Sequence, residues 1–230
     1  MSKFLFVVAH CDDEILGAGG LIYEAVQKGH EVSVLSLNSN DETRYHETGG
    51  KLQLVNDLRK THDALGVTST HYLDYPDSNY HRADHRGMVQ DIERIILTEQ
   101  PDYIFTQHPG DINSDHYWTA QSCMEAFRLW QRGRIEMKHI KGLYLMEVQS
   151  STDWSLNPSL SKFEPNTFFE IGEDALEAKI DTLKMYENVV RPVPHPRSEE
   201  AIRSLALLRG AQSGHRYAEA FQCVFRRYKF

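Results

Sequence analysis

His10, Cys11, Asp12, Asp13 and Glu14 arrive together near the start of this 230-residue chain, and they are its densest run of reactive side chains. An imidazole at position 10 and a carboxylate at 13, three apart on a turn entering a helix, can point at one ion while Asp12 points elsewhere. Zinc accepts that ligand mixture. The three acids also suit the first turn of a helix, where they complement the positive end of its dipole. Capping accounts for one or two of them and leaves the histidine ahead of them unexplained. A second concentration runs Gln107-His-Pro-Gly-Asp111-Ile-Asn113-Ser-Asp115-His116. His116, a turn or less into the next helix, is placed to reach His10 and Asp13. Two imidazoles, one carboxylate and an open position for water describe a catalytic zinc site, not a closed structural one. The same donors also suit iron, cobalt or manganese.

The elements around these residues must bring both clusters to one place. Phe4 to Ala9 is an unbroken apolar run that reads as a buried strand of a parallel sheet. It stops at His10, and open α/β sheets bind ligands where their strands end. Ile15 to Lys28 carries apolar residues at helical spacing and ends at Gly29. His30 to Leu37 reads as a second strand, followed by the polar stretch Asn38 to Arg44. A helix over Gly50–Leu65, a short strand near Thr70–Leu73, a helix over Asp84–Gln100 and a strand over Asp102–Thr106 follow, and the last runs into the second cluster. Gly142–Val148 and Phe163–Ile171 read as strands, Glu173–Asn188 and Ser198–Gly210 as helices. This alternation predicts an α/β, Rossmann-like fold, a mostly parallel sheet with helices on both faces. We expect a single domain over 1–230, its core at about 1–148 and its part 149–230 completing fold and pocket. Gly17-Ala-Gly19-Gly20 is not a dinucleotide fingerprint, because Ile22 stands where the third glycine belongs. These glycines let the helix pack close to the sheet.

Thirty-three acids against 25 bases give a net charge of -8, with no long basic run. That disfavours nucleic acid and anionic membranes as partners. The apolar run at Lys3–Ala9 is short and is followed by charges, not a cleavage site, so a cytoplasmic protein is expected. Cys11, Cys123 and Cys223 lack the spacing of a thiolate metal site or a disulfide framework. Histidines 30, 46, 62, 71, 85 and 139 sit singly among polar residues, where surface or core roles are the default.

The two clusters, in this order, resemble the PIG-L or LmbE-like zinc deacetylases, which remove acetyl groups from N-acetylglucosamine-type substrates. Ala9-His10-Cys11-Asp12-Asp13-Glu14 stands against the family's AHPDDE, and Asp111-Ile-Asn113-Ser-Asp115-His116 against its D-x-H-x-D-H. The likeness extends to Arg191-Pro-Val-Pro-His195-Pro-Arg197-Ser198 and Arg209-Gly210-Ala-Gln-Ser-Gly214. It implies zinc on His10, Asp13 and His116, Asp12 as general base, and Asp111 and Asp115 orienting the imidazoles, with a helix cap as the alternative for Asp115. It also implies a small amino-sugar substrate; relatives assemble as homo-oligomers, and the sequence does not decide between a homo-oligomer and a monomer here. Two positions depart from the family. Cys11 replaces a proline, and Asn113 replaces a histidine that stabilises the oxyanion or protonates the leaving amine; asparagine donates a hydrogen bond but cannot shuttle a proton. His195, held between Pro194 and Pro196, is the candidate substitute, with a rigid connection into the next helix as its alternative. Arg44, Arg82, Arg191 and Arg197 fall in loops and suit sugar hydroxyls or a phosphate, with solvation the alternative for at least two. Asp77, Asn79 and Tyr80 join Arg82 in a loop that either meets a polar ligand or merely turns. Two other functions fit the same residues: an amidase of a glucosaminide conjugate, and a sugar-binding protein without turnover. Retention of Asp12 argues against the second.

Overall fold

A computed structural model describes residues 1–39, 51–132 and 137–228, with residues 51 and 52 by backbone alone. Arg44, His46 and the polar stretch from 40 onward lie outside these residues. The described elements run β1 (Lys3–Val8), α1 (Asp13–Gln27), β2 (Glu31–Ser36), α2 (Lys51–Leu65), β3 (Ser69–Tyr72), α3 (His85–Glu99), β4 (Tyr103–Gln107), α4 (Ser114–Phe127), β5 (Gly142–Met146), β6 (Thr167–Ile171), α5 (Glu173–Leu183), α6 (Glu199–Ser213) and β7 (Tyr217–Arg226). The seven strands form one sheet in the order β3-β2-β1-β4-β5-β7-β6. The first five are parallel, and β7 lies antiparallel between β5 and β6. This is the α/β, mostly parallel architecture that the alternation of patterns predicts. Among the described residues no helix is long and apolar enough to cross a membrane.

Residues alternate across a strand, so β1 feeds two cores at once. Phe4, Phe6 and Val8 join Phe105, Leu58, Leu176 and Ile202 under α1, α2, α5 and α6. Leu5, Val7 and Ala9 join Ile104, Met88, Ile92 and Cys123 under α3 and α4. The chain leaves β1 toward β2 and β3 on one side and returns to β4 on the other, so the order reverses between β1 and β4. With Val7 opposite Thr106 in register, both strands end together, and the loops that follow them open at this switch point. That is how residues 10–13 and 107–116 come to share one edge.

The glycines of α1 serve close packing, as expected. A Cβ on Gly17 would lie 2.8 Å from Met146 Sδ, and one on Gly20 would lie 2.7 Å from Ile171 Cδ1. The helix is interrupted at Ala18 (φ -150°). Its second half therefore begins with N–H groups that need acceptors. Glu219, from β7, supplies them: its carboxylate accepts from Gly20 N (3.0 Å) and Leu21 N (2.7 Å), and from Lys179 Nζ of α5 (2.6 Å). Two boundaries differ from the sequence pattern. The helix expected to reach Asn188 stops at Leu183, and the chain turns through Asn188 in left-handed backbone (φ 57°), which asparagine tolerates. Within the mixed aromatic and basic stretch 217–230, residues 217–226 form a strand whose buried positions begin at Ala218.

Removing the Glu219 carboxylate strands a buried ammonium and two helix N–H groups. Glu219→Ala is expected to cost about 3–5 kcal/mol in urea denaturation, and adding Lys179→Met is expected to recover part of it by removing the stranded charge. A loss below about 1 kcal/mol for the single variant contradicts this role.

Candidate metal centre

The turn after β1 is closed by one of its own side chains. His10 N donates to Asp13 Oδ2 (3.0 Å), while Asp12 N and Asp13 N donate to His10 O (3.0 and 3.4 Å). Asp12 stands at the cap position of α1, yet its side chain makes no capping bond. It faces the Arg197 guanidinium instead, with Nη1 3.5 Å from its Oδ2. Capping therefore does not explain Asp12.

Asp13 Oδ2 is the meeting point of the two clusters. It lies 3.2 Å from His10 Nδ1 and 3.3 Å from His116 Nε2, and accepts from Gln107 Nε2 at the end of β4 (2.7 Å). Asp13 and His116 are buried and His10 nearly so. His116 arrives on the first turn of α4, whose cap is Asn113: its Oδ1 accepts from Asp115 N (2.9 Å). The helix-cap reading of Asp115 thus passes to Asn113. Asp115 instead accepts from Ser78 N (2.6 Å) and Tyr80 N (3.3 Å), pinning the loop that carries Asp77. Tyr80 closes that loop onto β1 by donating from its hydroxyl to Ala9 O (2.9 Å).

The second nitrogen of each imidazole faces a carboxylate. Asp111 Oδ2 is 2.8 Å from His116 Nδ1. Asp77 Oδ1 and Asp115 Oδ2 lie 3.2 and 3.6 Å from His10 Nε2. Carboxylates behind metal-binding imidazoles fix their orientation in this way. Asp111 thus lies against His116, and Asp77 and Asp115 lie against His10.

The donor chemistry fits a divalent cation. One nitrogen each from His10 and His116 and one Asp13 oxygen lie within 4.8 Å of one another. A tetrahedral ion with bonds of about 2.0–2.1 Å separates its ligand atoms by about 3.3 Å, which matches the spacings around Asp13 Oδ2. His10, Asp77 and Asp115 also come within 4.8 Å. In that group Asp115 also accepts from two loop N–H groups. The charges agree with a cation-seeking site. Burial alone would raise the Asp13 carboxyl, but His116 and His10 hold it well below the usual carboxylate range. Burial likewise opposes the His116 imidazolium, yet the Asp13 charge and the bond to Asp111 hold it up at about 9. Metal binding to donors of this kind releases such protons.

The remaining sequence candidates divide by position. Arg197 is half-buried and bridges Asp12 to Ser150, with Nε donating to Ser150 Oγ (2.6 Å). His195, two residues earlier, packs edge-on to Trp154 (6.0 Å between ring centres), and its Nδ1 accepts from Arg197 N (3.0 Å). Arg191 is exposed, donating to Asn188 O, and Arg82 is exposed on the short turn Tyr80–Arg82. Arg44 is outside the described residues. Gln107 and the buried pair Glu14–His62 (3.0 Å) carry no role in the sequence reading. A polar residue closing an apolar strand was the available signal for Gln107. Nothing in the sequence pairs Glu14 with His62, because the contact spans α1 and α2.

Comparisons with known proteins bear on this geometry. The family model PIG-L, described as GlcNAc-PI de-N-acetylase, matches residues 5–127. The diacetylchitobiose deacetylase of Thermococcus kodakarensis is 27% identical over 236 aligned positions, covering 97% of this chain and 84% of that protein. Two solved structures share the fold: a conserved protein from Thermus thermophilus (TM-score 0.78, 20% identity, 100% of this chain and 98% of that one), and the N,N'-diacetylchitobiose deacetylase from Pyrococcus horikoshii (TM-score 0.74, 21% identity, 97% and 84%). The family match spans more than half of the chain and takes in both clusters, so the chain belongs to the PIG-L family of de-N-acetylases.

Proposed function

We propose that this PIG-L family hydrolase is metal-dependent, with zinc as the preferred ion, and cleaves the amide of an N-acetylated amino sugar to acetate and the free amine. The observation that carries the reading is Asp12: a second carboxylate beside the ligand triad, on the same turn, making no cap and held by an arginine from a distant loop. A binding site without turnover has no use for it.

A divalent ion held by His10, Asp13 and His116 supplies a positive charge that polarises the amide carbonyl and lowers the pKa of water toward ~7. Asp12 takes the proton of the attacking water and passes it to the leaving nitrogen. Arg197, anchored on Ser150, fixes the direction of the Asp12 carboxylate. Asn113 commits its Oδ1 to the α4 cap, which leaves its amide N–H groups as donors and gives it no proton to move. For His195, burial and then the charges of Arg191 and Arg197 push the imidazole below its usual value, so the neutral ring prevails at pH 7. Since its Nδ1 accepts from Arg197 N, Nε2 carries the hydrogen. A neutral N–H donor suits a developing oxyanion better than it suits proton delivery.

Acetate release from N-acetylglucosamine derivatives is expected to disappear with a chelator and to return with added zinc; release that persists in metal-free protein contradicts the reading. Asp12→Asn is expected to lower kcat by about two to four orders of magnitude at unchanged zinc content. Turnover close to wild type removes Asp12 from the role of base. For His195→Gln, a fall in kcat of about two to three orders of magnitude, with little change in KM, is the signature of lost oxyanion stabilisation. Near-normal turnover in a folded variant leaves His195 a connecting residue only.

A further inference from the structure

Gln107 is the last residue of β4, and it is wholly buried. Residues alternate across a strand, so it shares a face with Phe105, which packs under α1, and not with Ile104, which packs under α3 and α4. A glutamine is an unfavourable choice for that position. Its Nε2 donates to Asp13 Oδ2 (2.7 Å), but among the described residues its Oε1 has no hydrogen-bond partner. A buried acceptor left unpaired costs stability, and an apolar side chain of the same length would avoid that cost. What the amide gains in return is the contact with Asp13.

Close packing of α1 makes that contact possible. Gln107 pairs in register with Met146 of β5, and Gly17 of α1 sits so near Met146 that a Cβ there would lie 2.8 Å from its Sδ. This draws α1 against the strand ends, within reach of a side chain from β4. Two N–H groups then converge on Asp13 Oδ2, one from Gln107 and one from the His10 backbone (3.0 Å). Gln107 does this without a charge. A lysine or arginine in its place would neutralise the carboxylate and repel a cation, whereas an amide donor fixes the direction of the carboxylate and leaves its charge for the ion. The same charge sets the amide's own orientation, because Oε1 turned toward Asp13 would bring two acceptors face to face.

We propose that Gln107 is a positioning residue for the metal, holding the Asp13 carboxylate in its ligating orientation. The inference rests on the reading of His10, Asp13 and His116 as ligands. Groups that hydrogen-bond to a metal ligand from outside change metal affinity by about 10–100-fold.

The test measures zinc dissociation constants, by competition with a chromogenic chelator, for wild type, Asp13→Asn, Gln107→Met and Gln107→Asn. The visible absorption spectrum of each protein loaded with cobalt(II) is recorded alongside, and circular dichroism and urea unfolding establish that the metal-free proteins are folded. Methionine keeps the length of the side chain and removes the donor; asparagine keeps the amide and is one methylene too short to reach. Both Gln107 variants are expected to bind zinc about 10–100-fold more weakly than wild type and to shift the cobalt bands, which report donor geometry. Where only one of the two folds, that one decides. Zinc affinity within about twofold of wild type in a folded variant, or an unchanged cobalt spectrum, overturns the role of Gln107 while leaving the ligands in place. Failure of both variants to fold without metal assigns Gln107 to the fold and overturns it as well. Wild type that binds zinc no more tightly than Asp13→Asn contradicts the ligand reading itself, and the role of Gln107 falls with it.

Discussion

One carboxylate oxygen holds the two halves of the centre together. Asp13 Oδ2 accepts from the His10 backbone and the Gln107 amide, and it faces one nitrogen of each imidazole at 3.2–3.3 Å. A buried carboxylate is tolerated only when such partners replace its water. Those partners come from the ends of β1 and β4 and from the start of α4, so the arrangement requires β1 and β4 to be adjacent, parallel and ended in register. The crossover between them supplies that requirement, and the apolar faces of β1 secure it from both sides.

The C-terminal third acts on the same edge from the outside. Glu219 on β7 caps the start of the second half of α1, the helix whose first turn carries Asp13. Arg197, from the loop before α6, reaches back to Asp12. Gln149 holds that loop through Pro196 O, and Arg209 of α6 closes on Glu147 at the end of β5. Each contact is a charge or an amide meeting a partner far away in sequence. Together they place the Asp12 carboxylate between the His10–Asp13 turn and a proline-bounded loop.

Much of this was legible in the sequence because it is local. The buried run Phe4–Ala9, the turn at His10–Asp13 and the glycines of α1 speak through spacing and residue type. His116 was legible too, since its place just inside a helix after a strand repeats the logic of the first cluster. Long-range partners were not legible in the same way. Asp77 reaches His10 only because Asp115 and Tyr80 fold its loop over the end of β1. Arg197 was one of four arginines with equal claims on the pocket, and only the packing of the 191–198 loop against Ser150 separates it from the exposed Arg191 and Arg82. The last strand hides because Glu219, Gln222 and Arg226 interrupt its apolar residues although β5 and β6 pair with it on both sides.

The most direct test of this account is a crystal structure of the zinc-loaded protein with anomalous scattering measured at the zinc edge. The account predicts one dominant peak bonded to His10, Asp13 and His116, with Asp77 and Asp115 hydrogen-bonded to the far side of the His10 ring. A peak bonded to His10 through Asp77 and Asp115, or no peak at these residues in protein whose activity depends on zinc, contradicts it.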